Sequence, residues 1–287
     1  MEFETASGSV IGRDHVRAGK NNQDSLAVLN MGEPLIAIVC DGCSQGKFSE
    51  VGALLGAHWL KRIIVKSYRD VLNQLSGLSQ SLADEDSYFW KSVQFNLLSR
   101  INTAAKSLDY NKLFAETIND FFLFTVVIAI IDSSGLYIFS AGDGVYGVNG
   151  EICYINPDND NRPSYMSYEL LDTSLLKSKP ELLKLRLEKV ISYSEVEHFF
   201  IGTDGLKYFI DAEDKTFPGK QKKIGPISQF WEEDRYFKNP DNVRRTLFLA
   251  NRDFTGVDWK KQSVIKEYGR LPDDTTIIAA RRKKQEA

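Results

Sequence analysis

Five aspartates stand at the ends of apolar or β-branched runs, each beside a glycine, an amide or a second carboxylate. They are Asp24 after Asn22-Gln23, Asp41-Gly42 after Ala37-Ile38-Val39-Cys40, Asp143 within Ala141-Gly142-Asp143-Gly144, Asp204-Gly205 after Phe199-Phe200-Ile201-Gly202-Thr203, and Asp273-Asp274 before Thr275-Thr276-Ile277-Ile278. A single Asp-Gly at a strand end is an ordinary turn, since both residues tolerate turn backbone. Recurrence changes the reading. If the strands lie side by side, their ends gather several carboxylates, and that much negative charge is tolerable only with hard cations that take oxygen ligands. Cysteine offers no competing chemistry: Cys40, Cys43 and Cys153 are an odd count with no second pair. Cys40 and Cys43 read as a strand-end core residue and a turn residue, because Asp-Gly lies between them and no helix signal immediately follows.

The elements that must position these residues are legible as hydrophobic periodicity. Short β-runs at 8–11, 25–29 and 34–40 precede any helix. From Ser49, a candidate N-cap, Val51, Leu54, Leu55, Leu60, Ile63 and Ile64 recur at helical spacing, and a second long helix carries Trp90, Val93, Leu97, Leu98, Ile101, Ala105 and Leu108. Runs at 122–131, 136–141, 145–148 and 152–155 form an antiparallel meander, its last turn made by Asn149-Gly150. Residues 156–182 are polar and irregular and read as a flap, with Tyr165, Met166, Tyr168 and Leu170 available to contact a peptide. Strands are expected again at 185–191 and 198–202, then a helix with Asn239 as cap, Pro240 in its first turn and Val243, Leu247 and Ala250 on its face, then a strand at 275–280. Sheet signals at both ends of the chain, with helices between, predict an α+β fold on antiparallel sheet and one domain over residues 1–287. The basic Arg281-Arg282-Lys283-Lys284 is expected to be a solvated terminus.

Composition narrows the function. The 287 residues are 43% hydrophobic and 26% charged, an ordinary globular balance. Lys plus Arg (36) against Asp plus Glu (39) gives a net charge of −3, so no global basic field attracts nucleic acid or an anionic membrane. The most apolar stretch, 121–131, falls well short of the roughly 20 residues of a membrane-spanning helix and reads as a buried strand. The acidic Met-Glu-Phe-Glu-Thr start lacks the features of a secretory signal, so a cytoplasmic location is expected.

The order Asn22-Gln23-Asp24, Val39-Cys40-Asp41-Gly42, Gly142-Asp143-Gly144, Thr203-Asp204-Gly205-Leu206 and Asp273-Asp274-Thr275-Thr276 resembles the metal-dependent type-2C protein serine/threonine phosphatases, in their bacterial form, from about Ser9 to Arg281. No single motif is specific, but the five share the family's order and approximate spacing. The resemblance implies two packed antiparallel β-sheets flanked by α-helices. It implies Mn²⁺ or Mg²⁺, two ions with Asp41 bridging them, the Gly42 carbonyl on one, and Asp204 and Asp273 on the other. Asp24 would act through water, and Asp143 with Asp204 would hold a third, weaker ion. Two such cations acidify water and stabilise in-line displacement at phosphorus without a covalent phosphoenzyme. Arg17 is the candidate for the family's phosphate-binding arginine, since a guanidinium forks onto two phosphate oxygens. The implied reaction is hydrolysis of phosphoserine or phosphothreonine on a phosphoprotein, with a partner Ser/Thr kinase and a monomeric enzyme.

Three departures from the family pattern matter: Gln23 replaces a common Glu, Cys43 stands where animal members have a histidine, and Gly144 replaces a common Ser. Proton delivery to the leaving group then falls to a water or to His15, while His58 and His198 read as structural. The departures also support an alternative, a pseudophosphatase acting as a regulatory or sensor module.

Overall fold

The computed structural model describes residues 2–30, 32–73, 78–108, 113–155, 164–171 and 183–283. Twelve strands are described: β1 Phe3–Val10, β2 Asp24–Leu29, β3 Leu35–Gly42, β4 Phe124–Ile131, β5 Gly135–Ala141, β6 Gly144–Val148, β7 Glu151–Ile155, β8 Arg186–Ser192, β9 His198–Gly202, β10 Phe254–Asp258, β11 Ser263–Glu267 and β12 Thr275–Arg282. The helices are α1 Arg13–Ala18, α2 Ser49–Asn73, α3 Leu78–Ala83, α4 Tyr88–Ser107, α5 Phe114–Phe121, α6 Leu206–Ile210, α7 Gln229–Glu232, α8 Arg235–Lys238 and α9 Asn242–Asn251.

Strand alternation explains the layers. On β3, Leu35, Ala37 and Val39 join a cluster with Phe3, Val127, Ile138, Phe199, Ile201 and Ile278, which come from both large sheets. The intervening Ile36, Ile38 and Cys40 turn to the other face and meet α2 and α4 through Ala57, Leu60, Ile64, Val93 and Leu97. On β12, Ile278 and Ala280 face the inter-sheet core, while Ile277 and Ala279 face Val243, Leu247 and Ala250 of α9. Strands buried on both faces read as unbroken apolar runs because each parity of residue has its own hydrophobic partner. The result is the expected αββα sandwich, with sheet orders β1-β12-β9-β6-β7 and β2-β3-β4-β5-β8 and every pairing antiparallel.

Several local expectations are corrected. A short helix, α1, comes between the first two strands, ended by Gly19 at φ 68. On α2, Val51 and Leu54 are exposed and small residues, Gly52, Ala53, Gly56 and Ala57, take the buried face in the first turns, while Leu60, Ile63 and Ile64 carry it further on as expected. A Cβ on Gly52 would collide with the Phe121 carbonyl oxygen and one on Gly56 with the Phe124 ring, so the helix sits too close for larger side chains. Helix α9 begins at Asn242, with Pro240 outside it; the Asn239 side chain accepts from Asp241 N at 3.0 Å. Nor are Arg281 and Arg282 a solvated tail. Both belong to β12, and the buried Arg281 guanidinium lies 2.8 Å from both Glu4 and Asp234 and stacks 4.0 Å from the Phe237 ring. Of the flap, 156–163 and 172–182 lie outside the described residues. Residues 164–171 contain a 3₁₀ turn, Met166–Leu170, with Tyr165 and Met166 buried, and Ser167 Oγ donates to the Phe122 carbonyl at 2.7 Å. No described helix is long and apolar enough to cross a membrane.

Candidate active site

Antiparallel register sets Asp24, the first residue of β2, opposite Asp41 near the end of β3. Asp143 lies in the link from β5 to β6, which carries the chain from one sheet to the other, while Asp204 follows β9 and Asp273 precedes β12, two strands paired side by side. A cleft of about 400 Å³ opens where these ends meet. His15, Asp41, Gly42, Asp143, Asp204 and Asp273 line it, with Cys43, Thr125, Tyr165 and Tyr168 on its walls.

Glycine makes the crowding feasible. Gly142 has φ 93, and a Cβ there would lie 2.6 Å from the Thr125 side chain; Gly144 has φ 150 and would meet Val127 at 2.6 Å. These two residues therefore fix the bend that presents Asp143, which accounts for glycine rather than serine at 144.

Four carboxylates in one cleft perturb one another. Burial pushes the Asp41 carboxyl well above the usual range, and Asp24, Asp204, Asp143 and Asp273 all add to the effect. Burial, then Asp204, raises Asp143 to about 6, and the same two causes raise Asp273. Asp24 is buried behind the cleft, where desolvation and then Asp274 push it well up; its Oδ2 accepts from Thr203 Oγ1 at 2.7 Å, and its Oδ1 has no hydrogen-bond partner.

Asp274 is a positioning residue that the strand-end pattern displays but does not explain. Its buried carboxylate accepts from Gly12 N and Gln23 N, both at 2.5 Å, and thus ties the start of α1 and the β2 entrance to the β12 entrance beside Asp273. His15 Nδ1 lies 3.0 Å from Asp274 Oδ2, though off the line of a straight hydrogen bond, and Nε2 lies 3.9 Å from Asp273 Oδ1. Contact with Asp274 raises the His15 pKa despite partial burial, and Asp273 adds to it.

One expected residue, Arg17, is elsewhere, and so is the side chain of Gln23, which replaces the family's common Glu. Arg17 does not line the cleft: its guanidinium lies 3.1 Å from Asp253 and 4.7 Å from the Tyr268 ring, in a separate groove, so its expected contact with the phosphate has no geometric basis. Gln23 also turns away, donating from Nε2 to Ser49 Oγ at 2.6 Å, which binds the start of α2 rather than capping it. Its side chain is buried, so a contact with an ion in the cleft is not its role.

A family model for protein phosphatase 2C matches residues 11–241. The chain belongs to the protein phosphatase 2C family. A serine-threonine phosphatase 2C from Toxoplasma gondii superposes with a TM-score of 0.58 at 12% identity, covering 98% of this chain and 95% of that one. Stp1, a serine/threonine phosphatase from Staphylococcus aureus, gives 0.51 at 14% over 99% and 96%, and an arginine-to-glutamate variant of a bacterial serine phosphatase gives 0.53 at 15% over 98% and 99%. At these identities the likeness is one of fold. No curated protein matches the chain.

The phosphatase 2C family generally depends on Mn²⁺ or Mg²⁺. Among the described residues no three His, Cys, Asp or Glu side chains converge tightly enough to grip one ion. The donor set nevertheless fits hard cations that keep much of their water: the cleft offers carboxylate oxygens, burial and then the neighbouring carboxylates disfavour the charged form of Asp41, and Asp24 Oδ1 is buried without a partner.

Proposed function

We propose that the chain is a phosphoprotein phosphatase that hydrolyses phosphoserine and phosphothreonine with Mn²⁺ or Mg²⁺. One observation carries this reading: Asp41, Asp143, Asp204 and Asp273 line a single cleft in which His15 is the one basic lining side chain among the described residues, with Lys207 paired to Asp204 at 3.2 Å from outside the lining. A phosphate dianion is repelled by such a cleft unless cations reverse its field. Asp41, the Gly42 carbonyl, Asp204 and Asp273 would hold two ions, Asp24 would reach them through water, and Asp143 would support a third. Bound there, the ions supply an acidified water and neutralise charge at phosphorus.

The chain's own residues do the rest. Asp274 holds α1 against the β12 entrance, so that His15 faces the cleft beside Asp273. The raised pKa of His15 favours its protonated form, and its Nε2, on the side nearer Asp273, would deliver a proton to the departing Ser or Thr oxygen. Tyr165 and Tyr168, edge to face with centroids 5.5 Å apart, form an aromatic wall that limits solvent access. In this reading the chain is one phosphatase-like domain acting as a cytoplasmic monomer on the products of a Ser/Thr kinase.

One observation favours a second reading. No arginine lines the cleft among the described residues, as would suit a catalytically impaired module that binds phosphoproteins without turning them over. Hydrolysis of p-nitrophenyl phosphate and of a phosphothreonine peptide, each with Mn²⁺, Mg²⁺ or chelator, separates the two. Metal-dependent turnover of both substrates is expected; cation binding by calorimetry without turnover establishes the impaired module instead.

A further inference from the structure

A second groove, of about 520 Å³, lies across α1 from the catalytic cleft. His15 faces the cleft, whereas Arg13, Val16 and Arg17 of the same helix line the groove, together with the end of β1 and Phe248 of α9. Its apolar surface is open to solvent: Val16 is 57% exposed and Phe248 53%.

Its charge is opposite to that of the chain. Arg13, Arg17, Lys20, Arg244 and Arg252 line it against a single carboxylate, Asp253. Asp14 pairs with Arg13 at 2.9 Å and Asp241 with Arg244 at 3.0 Å, which still leaves a surplus of two positive charges in a chain whose net charge is −3. Arg252 is exposed and has neither an ion pair nor a side-chain hydrogen bond among the described residues.

Asp253 joins the groove to the foot of the β10–β11 hairpin. Asp253, at its foot, accepts from Gly269 N at 2.7 Å and pairs with Arg17, whose guanidinium lies over Tyr268 just beyond β11. Val257 and Val264 face each other across the hairpin at 50% and 61% exposure, and Trp259 beyond its first strand is 84% exposed. Residues 254–267 lie outside the stretch matched by the family model. Exposed apolar residues beside a charged rim are the anatomy of a protein interface, and a polypeptide burying about 800 Å² per partner needs the hairpin as well as the groove.

We propose that the groove and hairpin dock an acidic segment of a partner protein, with an aliphatic or aromatic anchor seated against Val16 and Phe248 and carboxylates on Arg244 and Arg252. That the partner is also the phosphoprotein dephosphorylated in the cleft rests on the phosphatase reading; the docking does not.

The test selects a random peptide library displayed on phage against the full chain at low salt, then measures the synthesised consensus peptide by fluorescence anisotropy. The expected consensus is rich in Asp and Glu around a Leu, Phe or Trp. Arg252→Glu and Phe248→Ser should each weaken its binding by about tenfold or more, with Trp259→Ser weakening it less. Melting temperature and turnover of p-nitrophenyl phosphate should be unchanged in all three variants. No enrichment, a consensus without acidic residues, or equal binding to wild type, Arg252→Glu and Phe248→Ser overturns the proposal. A chain inert toward p-nitrophenyl phosphate that still binds the consensus in an Arg252-dependent way supports the docking and refutes the phosphatase reading alone.

Discussion

In the proposed phosphatase, Asp41 and His15 would divide the chemistry of the cleft between them. Asp41 contributes charge at a buried strand end where its carboxylate is opposed by four others, so removing that charge should relieve the fold while disabling the site. Asp41→Asn is expected to lower kcat by about a hundredfold or more and to abolish the rise in melting temperature on adding Mn²⁺. In chelator the variant should melt no lower than wild type, and thermal melts with and without Mn²⁺ check both points. His15 is expected to act on the leaving group. His15→Ala should cost roughly 10²-fold on a phosphothreonine peptide, whose alkoxide needs a proton, and far less on p-nitrophenyl phosphate, whose phenolate leaves unaided. Equal losses on the two substrates would reassign His15 to holding α1. Arg17→Ala should leave KM for p-nitrophenyl phosphate unchanged, since its guanidinium is held by Asp253 outside the cleft.

Helix α2 and the segment from 164 to 171 show how elements reach the site by close approach. Gly52 lets α2 pack onto the end of α5, and the adjoining residues 121–123 carry the Cys43 backbone, whose N–H donates to the Leu123 carbonyl at 2.8 Å. Gly52→Ala is therefore expected to destabilise by about 1–3 kcal/mol in urea unfolding, the usual cost of overpacking, and to reduce activity through the displaced 42–46 turn. A stability within a few tenths of a kcal/mol of wild type would show that the helix can slide. Tyr165 is buried against the α2 and α4 core, beside Cys43, rather than presented on the surface. Tyr165→Ala should consequently lower the melting temperature and reduce turnover of p-nitrophenyl phosphate and phosphopeptide alike. A loss confined to the phosphopeptide would return it to substrate recognition.

Bringing the strand ends of two sheets together concentrates carboxylates, and this couples stability to protons and cations. Asp143 raised to about 6, with Asp24 and Asp41 also pushed well above the usual carboxylate range, means that the folded cluster binds more protons than the same groups in the unfolded chain above about pH 4. Stability in chelator should therefore fall as pH rises from about 4 through 6 and beyond. Cations compete with those protons, so the gain in melting temperature from Mn²⁺ should be larger at pH 7.5 than at pH 5; a gain independent of pH would detach the cluster from metal binding. Strand and helix periods, the apolar runs buried on both faces, and the five strand-end aspartates were all readable in the linear chain, because each depends on local spacing. The sequence also carried His15, but only as one loop residue among several charged neighbours. Which of Arg13, Arg17, Lys20 and His15 faces the cleft depends on the rotation of the short helix α1, and Asp274 sets that rotation from more than 250 residues away. The same long-range contact sends Gln23 toward Ser49 and leaves Arg17 in the second groove. The β10–β11 hairpin is not marked in the linear chain for a related reason: β11 is exposed almost throughout and the half-buried positions of β10 are Phe254, Gly256 and Asp258, so no alternation of apolar and polar residues runs along it. Local spacing thus determined which carboxylates could form a cluster and set Lys207 beside Asp204, and tertiary packing alone decided which side chain of α1 joined them.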